Sequence, residues 1–138
     1  MKSVFVDSSV LFTATNSPVG GSSKLFTLRQ IRLVTSRVVL AETERNVRKK
    51  LEPYHLERFF VLVEHLSIID QIPDNRLIAK TKQIIAEKDA VILAEASLSK
   101  TDFLVTLNRK HFFTDKVAHF LKPQKVLIPK MLIEMISI

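Results

Sequence analysis

The chain has 138 residues, 46% of them hydrophobic and 25% charged, a balance that suits one packed domain spanning 1–138 and excludes a disordered chain. It has no cysteine, which removes disulfide frameworks, thiolate metal sites and cysteine nucleophiles, and no apolar run nears the ~20 residues of a membrane span. A formal net charge of +7 favours polyanions through phosphate neutralisation, without naming one. The opening apolar run meets Asp7 too soon for a signal peptide, so a cytoplasmic location and no membrane partner are expected.

In chain order, the valine-rich run 3–6 reads as a short buried strand, with a helix after Asp7. Residues 16–23 hold both glycines and read as a loop, followed by a helix from Ser22 or Ser23 towards Gln30. Ile31 to Thr35 is a strand. A helical pattern then runs from Arg37 to Leu51, with Leu40, Val47 and Leu51 on one stripe. Pro53 suits the first position of the next helix, which carries Leu56, Phe59, Phe60 and Val63. Ser67 to Ile69 is a short strand. A helix through Leu77 and Ile85 leads to a turn at 87–89, and a further helix opens at Asp89 and runs to Ser99. Phe103 to Thr106 is a strand, His111 to Leu121 a helix, Lys125 to Ile128 a strand, and Pro129 precedes a terminal helix. Alternation of this kind predicts a three-layer α/β/α fold around a mostly parallel sheet, with its site at the carboxyl ends of the strands.

Asp7 and Asn108 follow the two clearest strands, Glu42 sits in the 37–51 helix and Asp89 opens another. Asp7 and Asp89 each suit a helix N-terminus as well as a metal site, and the two roles are compatible. Glu42 and Glu44 point to nearly opposite sides of their helix, and the wheel does not choose between them. Glu42 shares a face with Arg45, Asn46 and Lys49, which could follow a nucleic-acid backbone. Asp102 precedes its strand and is expected to be structural, and His111 is expected at the surface or, at most, as a substrate contact. The four histidines show no zinc-ligand spacing, and neither a nucleophile elbow nor a phosphate-binding loop is present.

Gathering carboxylates is costly, since two unit charges about 4 Å apart repel by roughly 4 kcal/mol at an effective dielectric near 20. Mg²⁺ or Mn²⁺ relieves that repulsion, accepts hard oxygen ligands with retained waters, and can activate water against a phosphodiester. A phosphatase working through an aspartyl phosphate is disfavoured, because Ser9 stands where a second acid is needed.

The segments 4–11, 38–42, 88–90 and 104–108 resemble, in type and order, the PIN-domain nucleases. The resemblance covers nearly the whole chain. It implies an α/β/α fold and an acidic Mg²⁺ or Mn²⁺ pocket with Asp7, Glu42 and Asp89 as its principal metal residues. The family's Thr/Ser-x-Asp motif matches Thr106-Leu107-Asn108, so Thr106 would shape the motif and Asn108 would position a ligand water without adding charge. Many small members are VapBC-type toxins: endoribonucleases, often homodimers, silenced by an antitoxin whose tail enters the pocket. Others serve RNA processing or decay. The expected function is thus a Mg²⁺- or Mn²⁺-dependent endoribonuclease of a toxin–antitoxin pair, with Arg45 and Lys49 contacting RNA. A non-catalytic PIN-like RNA- or protein-binding module is the alternative.

Overall fold

The computed structural model describes residues 1–137. Five parallel strands lie in the order β3-β2-β1-β4-β5, with β1 at Lys2–Val6, β2 at Ile31–Thr35, β3 at Ser67–Ile68, β4 at Phe103–Val105 and β5 at Lys125–Leu127. Val4, Phe5, Val6, Leu104 and Val105 have no exposed surface, because central parallel strands are covered on both faces and cannot alternate with polar residues.

From β1 the chain steps one way to β2 and β3, through α1 (Ser8–Asn16), α2 (Gly21–Leu25), α3 (Arg37–Lys50) and α4 (His55–Val63). It then crosses back through α5 (Asn75–Lys82) and α6 (Glu87–Ser99) to β4, and through α7 (Arg109–Phe112) and α8 (Asp115–Leu121) to β5. Right-handed crossovers therefore put α1–α4 on one face and α5–α8 on the other, giving three layers. A last helix, α9 (Pro129–Ile136), packs against α2. The strand order reverses at β1 and β4. Their carboxyl ends form the switch-point crevice where parallel sheets bind ligands.

Several local boundaries differ from the sequence reading. The helix expected to reach Gln30 ends at Leu25, and the Thr27 hydroxyl donates to the Lys24 carbonyl at 2.7 Å, a local alternative to continuing the helix. Pro53 lies in the turn before α4 rather than inside it. The helix expected over 111–121 is two, because Thr114 caps α8 by accepting from the Val117 amide at 3.2 Å. Asp89 lies in the first turn of α6 instead of opening it.

Phe60 and Val61 on α4, and Met131 and Met135 on α9, are exposed. They belong to the apolar segments 56–63 and 131–138, whose sequence suits a homodimer surface and a buried core equally; Ile138 lies outside the described residues. Among the described residues no helix is long and apolar enough to cross a membrane.

Beneath the sheet's carboxyl edge, Glu95 of α6 is 5% exposed and accepts a 2.7 Å hydrogen bond from Ser36, the residue that caps α3. Burial pushes the Glu95 carboxyl above its usual 4.5, and the Ser36 hydroxyl offsets only part of this. A raised value favours the protonated form in the fold. The associated stability is therefore complete below the ordinary carboxylate range and is lost as pH rises through the folded value. Glu95→Gln keeps an acceptor for Ser36 without the charge. Calorimetry at pH 8 should show it melting higher than wild type. The gap should close as pH falls towards 4.5. A gap independent of pH would mean that the Glu95 charge is not what costs stability.

A candidate metal centre at the sheet switch point

Asp7 leaves β1 and serves as the N-cap of α1, its Oδ1 accepting from the Ser8 amide at 2.8 Å. Its Oδ2 accepts from Thr106 Oγ1 at 2.6 Å and from Ser9 Oγ at 2.9 Å. Ser9 Oγ also receives the Leu107 amide, and Thr106 Oγ1 receives the Asn108 amide, both at 3.0 Å. The end of β4 is thereby stitched to the start of α1 through one carboxylate. Asp7 is 4% exposed, and burial pushes its pKa up, with the three donors pulling the other way and the nearby Asp89 charge adding to the rise.

Asp89 faces this pair from the first turn of α6, where the positive end of the helix favours a carboxylate. Its Oδ2 lies 2.6 Å from His111 Nδ1. Asn108 caps α7, its Oδ1 accepting from the His111 amide at 3.3 Å. Glu42 approaches from α3. Val39, Thr43 and Val47 of that helix are buried, which turns Glu42, Asn46 and Lys50 into one cleft and leaves Glu44 to pair with Arg48 at 3.0 Å.

Asp7, Glu42, Asp89 and Asn108 thus line one cleft of about 230 Å³, together with Ser8, Ser9, Phe12, Asn46, Lys50 and Lys88. A larger groove of about 980 Å³, lined by α5 and α8 residues such as Lys80 and Phe120, shares none of these side chains. Arg45 and Lys49, expected on the Glu42 face, are exposed and do not line the cleft; Lys50 and Lys88 are its cations. Asp102 lies at the opposite sheet end, where it accepts from the Ser3 amide at 2.9 Å, the contact that most lowers its pKa.

The sequence did not assign Ser9, Lys50, Lys88 or His111 to the metal site. His111 had one readable signal: it stands three residues after Asn108, the spacing at which a cap meets a backbone amide. The carboxylates and the Asn108 amide are hard oxygen donors of the kind that Mg²⁺ and Mn²⁺ take. An Asp carboxylate offers about four lone-pair positions, so the three donors on Asp7 leave it room for an ion in one direction. Among the described residues no three Asp, Glu or His side chains gather as closely as an ion held by direct ligation requires. An ion here would rely on retained waters, as Mg²⁺ commonly does.

The architecture is shared with solved structures. A chain of the VapBC2 crystal structure from Rickettsia felis, bound to a DNA fragment from their promoter, superposes with a TM-score of 0.69 at 18% identity, over 91% of this chain and 98% of that one. PAE2754 from Pyrobaculum aerophilum gives a TM-score of 0.61 at 14% identity, over 99% of this chain and 91% of that one. These likenesses establish the fold. No curated protein matches the sequence. The family model of the PIN domain matches residues 4–117, which takes in the strand ends, the α3 glutamate and the 106–111 segment, and the chain belongs to the PIN-domain family.

Proposed function

We propose that this chain is a Mg²⁺- or Mn²⁺-dependent endoribonuclease, the toxin of a toxin–antitoxin pair, acting in the cytoplasm. The observation that carries the reading is the convergence of Asp7, Glu42 and Asp89 with Lys50 and Lys88 in one cleft at the β1/β4 switch point. The carboxylates would hold the ion partly through water. When bound, it supplies a water of lowered pKa and charge to steady the scissile phosphate. Lys50 and Lys88 attract the flanking phosphates, and Ser9 and Thr106 keep Asp7 aimed and oppose the rise that burial imposes on its pKa. The resemblance of the fold to a chain of a VapBC complex supports an antitoxin partner.

One observation favours a second reading, a PIN-like module that binds RNA without cutting it. Asn108 brings no charge, and its carbonyl is taken by the His111 amide. The test is cleavage of structured and single-stranded RNAs by the chain freed of any partner, with Mn²⁺, Mg²⁺ or EDTA. Cuts are expected with either ion and none in EDTA. Lys50→Glu/Lys88→Glu should weaken RNA binding and flatten its salt dependence by about one unit of slope per lysine removed. Salt-sensitive binding without any cut would sink the nuclease reading and leave the binding module.

A further inference from the structure

We propose that His111, not Asn108, is the fourth polar residue of this site: a positioning residue that holds the Asp89 carboxylate, while Asn108 holds His111. The inference rests on the metal-dependent reading above and assigns the two side chains different work.

Asp89 and His111 are 13% and 24% exposed at their side chains and 2.6 Å apart, a short, sheltered contact. An ionised carboxylate only accepts, so the proton lies on Nδ1 and the tautomer is fixed by Asp89. With that proton committed, Asn108 Nδ2 at 3.2 Å is a neighbour of Nδ1 and not its donor. Among the described residues Asp89 Oδ1 accepts no hydrogen bond, while Asp89 lines the cleft. One oxygen is therefore held and the other is free, the arrangement by which an outer partner orients a metal-binding carboxylate.

Asn108 is differently employed. Its Oδ1 caps α7 and its backbone amide donates to Thr106. A helix of only four residues does not hold itself together, so this cap decides where His111 stands. Asp7 is held by Thr106 and Ser9, and Asp89 by His111. The segment 106–111 contributes to both clamps and so helps set the separation of the two carboxylates. A neutral residue at 108 then costs the site little, because the role needs a cap and not a charge.

The test uses metal-free protein, Mn²⁺ as the probe and melting curves to confirm folding. The ¹⁵N spectrum of the wild-type imidazole should place the proton on Nδ1. His111→Ala should weaken Mn²⁺ binding by about 10–100-fold, the usual effect of losing an outer partner. His111→Gln, which restores a donor, should recover part of the loss, and Asn108→Ser, another good cap, should lose clearly less Mn²⁺ affinity than His111→Ala. The proposal is overturned if His111→Ala binds Mn²⁺ as wild type, if Asn108→Ser loses as much as His111→Ala, or if the proton lies on Nε2. Wild type that binds no Mn²⁺ overturns it together with the metal-dependent reading. Wild type that binds Mn²⁺ in the expected pattern but cuts no RNA overturns the nuclease reading alone.

Discussion

Asp7→Asn should abolish RNA cleavage and leave the metal-free fold at least as stable as wild type. The loss of rate should exceed about a hundredfold, the upper range for removing an outer partner, because Asp7 is proposed to face the ion itself. The stability half follows from burial. Asp7 is 4% exposed and held above its usual 3.8, chiefly by desolvation, against the pull of Thr106, Ser9 and Ser8. A raised value means that the fold favours the neutral acid. The stabilising contribution is present below the unfolded carboxylate value and is lost as pH rises through the folded one. At pH 8 in EDTA the charged wild type is therefore the strained partner. Asn retains a carbonyl for the Ser8 amide and can donate to a hydroxyl oxygen of Ser9 or Thr106. Melting from pH 4 to pH 8 in EDTA should show Asp7→Asn level with wild type at the acid end and above it at the alkaline end. A variant that melts well below wild type at pH 8 would show that the cap needs the charge, and that the residue is structural first. The cost of ionised Asp7 is what a site built for a cation is expected to carry.

The sheet and the ends of its strands were legible because burial leaves a plain trace in sequence. A strand covered on both faces has no place for a polar residue, and Val4-Phe5-Val6 and Phe103-Leu104-Val105 follow that rule, so the polar residues that end them stand out. Glu42 was less legible. Thr43, fully buried and bonded to the Val39 carbonyl of its own helix at 2.8 Å, belongs to the packed stripe but reads as polar. Without it, the apolar stripe drawn through Leu40, Val47 and Leu51 is rotated, so that Arg45 and Lys49 are assigned to the face of Glu42 and Asn46 in place of Lys50. His111 was hidden for another reason. Its contact with Asp89 spans 22 residues and depends on a break between α7 and α8 that helical periodicity smooths over. Local pattern finds the residues that end elements. It does not find those that meet only because two crossovers deliver them to the same crevice.

Thr106→Val should be the most disruptive near-isosteric change in this chain. Thr106 has no exposed surface, and its hydroxyl donates to Asp7 at 2.6 Å while accepting from the Asn108 amide at 3.0 Å. Valine keeps the shape and leaves a buried carboxylate short of one donor and a backbone amide without its acceptor. Each unsatisfied buried group costs about 1–3 kcal/mol, more when it is charged. With two such groups, denaturant unfolding at pH 8 should place the variant about 2–6 kcal/mol below wild type, and cleavage should fall by about 10–100-fold as Asp7 loses its aim. Thr106→Ser, which keeps the hydroxyl, should restore most of both. The decisive measurement is the cycle with Asp7→Asn. If the hydroxyl acts mainly on the Asp7 charge, Thr106→Val costs less in the Asp7→Asn background by more than about 0.5 kcal/mol, the limit within which independent sites add. Additive losses would instead assign Thr106 to the Asn108 amide, making it a support for the 106–111 segment with no direct part in holding Asp7.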